Sequence, residues 1–469
     1  MEARGIVCRS VQQGRKKPIL ILITNSFAAI NIIHSGLIKK LALEHRVHLL
    51  STMIRSEEIS RINNHFGLDL TLVRLDIPCE PAWLTCLRRV EKALFAEHFD
   101  IVTQKIKYQR HKGWLWTRKV LWVISQKSIN KSLLRMIRHA IIFLTSFSSI
   151  LKPLLWFDFH GVISSSPLDS RENRIVNFLQ RHRVKSLAMV ISWDNLTSKG
   201  VINADHDYTL VWNDFMKNDF LRFYSIFKTA KPKVIATGIP RFDSYFENDS
   251  ENQTIKARKH FNIRLADRVI LIATSALRHF PNQLDVIADI LRFAKVEGNL
   301  HIIVRCHPAD NVAIYNQLSG EKFVTIWHPK NLPVLGNDRF YNWFPDLNFL
   351  DSLSRMLRIC DVCIQFASTM KLDAAACGKH VISIAYDGNN PLPYQYSARR
   401  LYEYDHQVPL NALQFDEFVT SREQLYAALK MSLRNQKSEN KLAAIKSFTH
   451  FTEPKSVDFT FNTIAEWLN

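Results

Sequence analysis

The sequence predicts an α/β protein of two units, each a parallel sheet flanked by helices. Three observations predict it. Short apolar runs alternate with longer amphipathic stretches along most of the chain. The alternation stops near residue 247 and restarts near residue 260, as two successive sheets require. At 469 residues the chain is long enough for two or three domains with cores of their own.

The elements follow in order. Pro18 precedes the buried run Ile19–Thr24, the first strand; Asn25–Asn31 reads as a loop and Ile32–Leu43 as a helix. Val47–Ser51 is a strand, Glu57–Phe66 a helix and Leu70–Leu75 a third strand. A helical excursion then covers about residues 82–151. Strand Gly161–Ser165, helix Ser170–Arg183, strands Ser186–Ser192 and Asp207–Trp212, a helix from Asn213 to Tyr224 and strand Lys233–Thr237 complete the first unit, residues 18–246. The polar stretch 247–259 shows no apolar face and reads as a linker. The second unit, 260–455, repeats the pattern with strands Val269–Ala273, His301–Arg305, Phe323–Trp327, Asp361–Phe366 and Val381–Ala385. Helices Asn282–Val296, Asn348–Ile359, Met370–Cys377 and Arg422–Arg434 alternate with them. Ser456–Leu468 is a terminal helix suited to pack back on the first unit, and residues 1–17 form a basic tail without the apolar segment of a secretory signal.

Charge is distributed unevenly. The formal net charge is +19, yet no Asp or Glu occurs from Ile101 to Phe157. Lys105, Lys107, Arg110, Lys112, Arg118, Lys119, Lys127, Lys131, Arg135, Arg138 and Lys152 lie there, interleaved with Trp114, Trp116 and Trp122. Cations with interfacial tryptophans suit an anionic membrane surface. A solvated basic helical pair or a nucleic-acid site would use the same residues, nucleic acid being the weaker fit. The apolar run Ala140–Ile150 is too short and too polar to span a bilayer. Seven scattered cysteines point to a reducing compartment, and Cys360 and Cys363 read as core residues.

Chemistry concentrates at strand ends. Between Asp361 and Ile384 a strand ends in Ser368-Thr369, opens a helix and passes Gly378 into another strand. Hydroxyls and free amides at that helix start suit a phosphate, and Asp373 one turn on suits ribose hydroxyls. Thr274-Ser275 and Arg305-Cys306-His307-Pro308 follow two other strands of the same unit. Only 13 glycines occur and no glycine-rich phosphate loop is present, so hydroxyls, a guanidinium and an imidazole must hold the phosphates. In the first unit, Trp193, Asp194, Asn195 and Lys199 crowd one loop after a strand. Asp194 is expected to act as general base if a partly desolvated cleft raises its pKa; an Asx-turn would use the same residue. His160 and His34 are rival bases.

These segments carry a resemblance. The layout looks like a GT-B glycosyltransferase, two Rossmann-like domains with parallel sheets facing a central cleft and the donor in the second. Ser-Thr-Met-x-x-Asp-Ala-Ala-Ala-x-Gly-Lys, residues 368–379, resembles the donor-ribose motif of that fold, with Asp373 where Glu is usual. His307-Pro308 with Ser368-Thr369 is similar to the pair in bacterial sialyltransferases, Kdo transferases and CDP-glycerol glycerophosphotransferases, which use cytidine nucleotides. Ser192-Trp-Asp-Asn195 and Gly238-Ile-Pro-Arg-Phe-Asp243 look like surface-polysaccharide proteins of bacteria. The resemblance covers roughly residues 155–450. It implies a metal-independent, inverting glycosyltransferase without a cofactor, peripheral on the cytoplasmic face of the membrane, with a nucleotide-sugar donor (cytidine favoured over UDP) and a lipid-linked or growing glycan acceptor. Thr274, Ser275, Arg305, His307, Pro308, Ser368, Thr369 and Asp373 would take the nucleotide. Asp194 or His160 would take the proton, and Trp193, Asn195, Lys199 and Arg241 would line the acceptor cleft. A CDP-glycerol-type phosphotransferase, a nucleotide-sugar 2-epimerase and a non-catalytic basic scaffold or nucleic-acid-binding protein are the alternatives.

Overall fold

The computed structural model describes residues 17–77, 79–110, 127–227, 233–247, 249–308, 310, 312–329, 344–434 and 441–469. The first sheet joins β1 (Pro18–Ile23), β2 (Arg46–Ser51), β3 (Thr71–Leu72), β4 (Gly161–Ser164), β5 (Lys185–Met189), β6 (Tyr208–Val211) and β7 (Lys233–Ala236). Their order is β3-β2-β1-β4-β5-β6-β7. The second joins β8 (Arg268–Ala273), β9 (Leu300–Arg305), β10 (Val324–Trp327), β11 (Val362–Gln365), β12 (His380–Ile384) and β13 (Glu417–Val419), in the order β10-β9-β8-β11-β12-β13. All the pairings in both sheets are parallel. Each order reverses beside the unit's first strand, between β1 and β4 and between β8 and β11. Loops leaving such a pair diverge and open a crevice at the carboxyl ends of the strands.

Central strands are apolar on both faces because helices cover both sides. Ile19–Ile23 of β1 and Val269–Ala273 of β8 are fully buried. Side-chain caps set helix starts: Asn213 accepts the Met216 N–H and Asp169 the Arg171 N–H, opening Asp214–Tyr224 and Ser170–Arg181.

Three elements differ from the sequence reading. Residues 25–31 are no loop: helix Ser26–Ala29 runs into a π turn, Ile30–His34, and Gly36 at φ +86° breaks it before helix Leu37–Glu44. The third strand shrinks to Thr71–Leu72 at the sheet edge. Most of the expected linker is helix Glu251–His260, started by the reciprocal Ser250/Gln253 cap and packed on helix Phe349–Ile359 of the second unit. It buries only Ala257, so it shows no apolar period.

The chain crosses between the units at about residues 238–249 and returns as helix Ser456–Leu468. Gly238, at φ +74°, lies where a Cβ would collide with the Ser456 hydroxyl and the Phe451 ring. Asp243 caps the returning helix, accepting the Ser456 and Val457 N–H groups at 3.0 and 2.8 Å. That helix lies on the first unit, where Ile464, Trp467 and Leu468 join the core. The Trp467 indole fits over Gly161, where a Cβ would stand 2.6 Å from the ring. His160 and Lys185 bind the last carbonyls of this helix.

One carboxylate is buried at the first unit's crevice. Glu172 accepts from Thr24 Oγ1 at 2.6 Å, Ser164 Oγ at 2.7 Å and the Ser166 N–H at 2.8 Å, tying β1 to β4. Burial pushes its carboxyl up from 4.5 to about 7, and Asp169 adds to the effect against the pull of its donors. A group raised in the folded state stabilises it fully below the unfolded value and loses that contribution as pH rises through the folded one. Glu172→Gln removes this dependence. Relative to the variant, the parent's unfolding free energy should fall between pH 4.5 and 7 at up to about 1.4 kcal/mol per pH unit in urea titrations.

Candidate functional site

In the second unit, the loops after β8, β9 and β11 converge. Thr274 accepts the His307 N–H at 2.8 Å and contacts Asp310, which also takes the Leu277 N–H and the Tyr315 hydroxyl. The Ser275 N–H donates to Gln283 Oε1 at 2.9 Å. Thr274 and Gln283 therefore shape the loops that present His307, and Pro308 is buried behind it. After β11, Ser368 and Thr369 are half-exposed, and Ser368 Oγ accepts the Met370 N–H at 3.1 Å. Ala367 before them has φ +48°, a region that costs a residue with a Cβ. Its N–H donates to the Tyr402 hydroxyl and its carbonyl accepts from Gln407, so neighbours hold the strained turn.

Positive charge accumulates here. Burial pushes the His307 imidazole down to about 3, and Arg305, His279, Arg278 and His328 add to the effect. His279 is likewise pushed to about 3, first by burial, then by Arg278, Lys107, Arg400 and Arg110. Arg305 is nearly buried, and its Nε has no hydrogen-bond partner among the described residues. Groups that depress one another's protonation form a site that favours an anion. The sequence reading stopped at Ser275 and missed Arg278 and His279 in the same loop.

Lys107 and Arg110 arrive from the basic excursion. Helix Val102–Tyr108 lies across the seam between units. Thr103 and Asp405 exchange hydrogen bonds at 2.7 and 2.9 Å, and Gln104 donates to the Thr197 carbonyl at 3.1 Å. Arg110 donates to the Arg278 carbonyl at 3.0 Å and stands over the Tyr396 ring. Part of the stretch read as a membrane face is thus a wall of the cleft. Arg138 is buried, donating to the Ile202 and Ala204 carbonyls and pairing with Asp205, and Lys105 pairs with Asp100. Lys112, Trp114, Trp116, Arg118, Lys119 and Trp122 lie outside the described residues.

The first unit's loop after β5 meets the second unit. Thr197 Oγ1 lies 3.0 Å from His406 Nδ1, and Trp193 stands edge-on to the His406 ring at 5.0 Å. Asp194 accepts from Ser192 Oγ and Ser198 Oγ, both at 2.6 Å. Burial would raise its carboxyl, but Lys199, then His406 and the two hydroxyls hold it well below the usual carboxylate range. The expected raised pKa is therefore reversed, because the tight loop sets a hydroxyl on each oxygen and a lysine beside them. Burial pushes His406 down to about 4 against the opposing charge of Asp194. His406 was not legible from sequence; only folding brings it to Asp194. Asn195 is half-buried and Lys199 exposed at this loop.

Four expected residues stand elsewhere. Asp373, its side chain 2% exposed, pairs with Arg241, which also donates to the Tyr245 hydroxyl at 2.8 Å. Helix Met370–Ala376 is buried along its whole length, so one turn beyond Ser368 points into the seam and not toward a ribose. Arg241 is that carboxylate's partner rather than an open acceptor contact. His160 precedes β4, at the opposite end of the sheet from the cleft, with Nε2 2.6 Å from the Leu468 carbonyl. The rival His34 lies on the π turn against Phe344, pushed down to about 4 by burial. Among the described residues no three His, Cys, Asp or Glu side chains gather to hold a metal.

Comparison with known proteins agrees with this architecture. UDP-GlcNAc 2-epimerase from Neisseria meningitidis, bound to UDP-GlcNAc, superposes with a TM-score of 0.56 at 12% identity, over 96% of this chain and 100% of that one. A glycosyltransferase from Rickettsia africae gives 0.51 at 11% identity, over 97% and 99%. The fold is GT-B. A family model described as CDP-Glycerol:Poly(glycerophosphate) glycerophosphotransferase matches residues 193–335, the span from Trp193 through Arg241 to His307 and beyond, and the chain is similar to that family there. Curated proteins give no match.

The seam placement of Asp373 has a measurable consequence. Asp373→Ala leaves Arg241 buried without its counter-charge, and breaking a buried pair this way costs about 3–5 kcal/mol. Urea unfolding should show that loss with no nucleotide present, which a ribose ligand would not produce.

Proposed function

We propose that the chain is a glycosyltransferase that moves a sugar from a nucleotide-sugar to a lipid-linked or growing surface-glycan acceptor. The observation that carries the reading is the gathering, at the carboxyl ends of β8 and β9, of the Arg278 and Arg305 cations with the His279 and His307 imidazoles whose protonation they oppose. Donor phosphates lie against these groups and the Ser368-Thr369 turn, which stabilise the leaving phosphate as its bond to the sugar breaks. The acceptor oxygen attacks the sugar carbon directly, with inversion, and loses its proton. A carboxylate held as low as Asp194 is a weak base, whereas His406 is neutral at pH 7 and stands beside it. His406 takes the proton and Asp194 stabilises the imidazolium. No metal or cofactor enters this reading. A CDP-glycerol-type glycerophosphotransferase is the second reading, favoured by the family match over residues 193–335. It uses the same donor site with attack at phosphorus.

A thermal-shift panel of CMP, CDP, UDP, GDP and ADP tests the donor site, with a cytidine nucleotide expected to stabilise most. His307→Ala should weaken the preferred nucleotide by about 1.5–3 kcal/mol, the value of a charge-assisted contact. A bound phosphate raises the imidazole pKa from about 3, so binding takes up protons and tightens as pH falls from 7 to 5. His307→Gln should flatten that trend in calorimetric titrations. Asp194→Asn should leave nucleotide affinity intact while single-turnover transfer falls about 10²-fold or more. Loss of the Asp194 charge lowers His406 further, so the acid limb of the rate profile should move to lower pH. Product mass separates transfer of a sugar from transfer of glycerophosphate.

The reading places the protein on the cytoplasmic face of a membrane, through the apolar face at the far end of the acid-free stretch. No single described helix is long and apolar enough to cross a bilayer; helices Ile129–Thr145 and Ser149–Phe157 form a pair bent by 70°. Ile129, Met136 and Phe143 recur every seven residues on the first helix and are all more than half exposed, and Trp156 on the second is 84% exposed. Arg181 stacks on Phe147, and Lys152 is exposed nearby in sequence. Apolar side chains with cations alongside suit an anionic interface. Co-sedimentation with anionic vesicles should drop sharply in Phe143→Ser/Trp156→Ser and remain in Lys105→Glu.

A further inference from the structure

Beside the Thr197–His406 contact, the seam holds a cavity of about 230 Å³. Both units wall it: Phe99, Thr197, Phe215, Asp219 and Arg222 from the first and Asp405 from the second. Asp219 is half-buried within helix Asp214–Tyr224, and its carboxylate meets no hydrogen-bond donor or salt-bridge partner among the described residues. Its carboxyl is pushed up to about 6 by burial, with Arg222 opposing and Asp405 adding. One oxygen of Asp405 is held by the Thr103 N–H. Phe215 is 40% exposed.

We propose that this cavity is a subsite for an uncharged polyhydroxyl group, a single sugar ring or short polyol of the acceptor. The proposal rests on the transfer reading above. A desolvated carboxylate without a donor is completed by hydroxyl groups, which supply donors and carry no charge. Aromatic faces pack the C–H side of such a ligand. The volume holds about eight waters at about 30 Å³ each, room for one ring or a three-carbon chain but not for a nucleotide. Two carboxylates disfavour a phosphate, while Arg222 in the wall and Lys107 and Lys199 around Asp194 disfavour an amine. Thr197 belongs both to the wall and to the His406 contact, so a hydroxyl ligand lies next to the proposed proton acceptor.

Saturation-transfer NMR on the full chain tests this with glycerol, methyl glucoside, glucosamine and glucose 6-phosphate as probes. A neutral probe should receive saturation, reduced several-fold in Asp219→Ala and in Phe215→Ala, with nucleotide affinity unchanged. Phe215 is exposed enough for its variant to fold if Asp219→Ala does not. His307→Ala should lose nucleotide and keep the neutral probe, so failure of the donor site and failure of this subsite read out separately. The proposal is overturned if neither neutral probe is saturated, if both variants retain the full signal, or if glucosamine or glucose 6-phosphate gives the stronger response.

Discussion

The pairing of Arg241 with Asp373 is the constraint around which the two units are arranged. The short helix Pro240–Tyr245 that carries Arg241 packs against the π turn and terminal helix on one side and against helices Phe349–Ile359 and Met370–Ala376 on the other. A guanidinium and a carboxylate removed from water must satisfy each other, and neither has a solvent alternative here. The pair therefore holds the first unit against the second, and with it the separation of the strand ends that form the cleft. Arg305 feels the same carboxylate from β9, which couples this seam to the anion-favouring crevice.

That crevice works by unrelieved charge rather than by a glycine loop. The Ala367 turn, the Thr274–His307 contact and the Gln283–Ser275 contact freeze the loops before any ligand arrives. Hydrogen-bond donors and cations are then aimed at one region at no further reorganisation cost. The histidines stay neutral because burial and their neighbours oppose protonation; in the proposed transfer reading a donor phosphate is what relieves that opposition.

The basic excursion illustrates why net charge alone does not identify a partner. Its cations have separate physical tasks. Arg138 is buried and satisfies carbonyls of the first unit, Lys107 and Arg110 complete the cleft wall, and others accompany an exposed apolar face. In sequence they form one acid-free stretch; in space, helix Val102–Tyr108 and helix Lys127–Thr145 face different surroundings.

The alternation of apolar runs and amphipathic helices was sufficient to predict two parallel sheets, since each strand covered on both faces must be apolar whatever its neighbours are. The strand-end loops holding Trp193–Lys199, Arg305–Pro308 and Ser368–Thr369 were legible for the same reason: carboxyl ends of parallel strands face the crevice. What each side chain does there was not legible. The direction of Asp373 depends on both faces of its helix being covered, and the acidity of Asp194 depends on Ser198, Lys199 and a histidine more than two hundred residues away. His406 and Lys107 reach the site through contacts between the units, which leave no period in the sequence, and Arg278 and His279 stand further along the β8 loop, whose path only the folded unit fixes. Local pattern therefore determined the elements and their polarity, while burial and charge at the seam, properties of the assembled chain alone, decided which residues face a ligand.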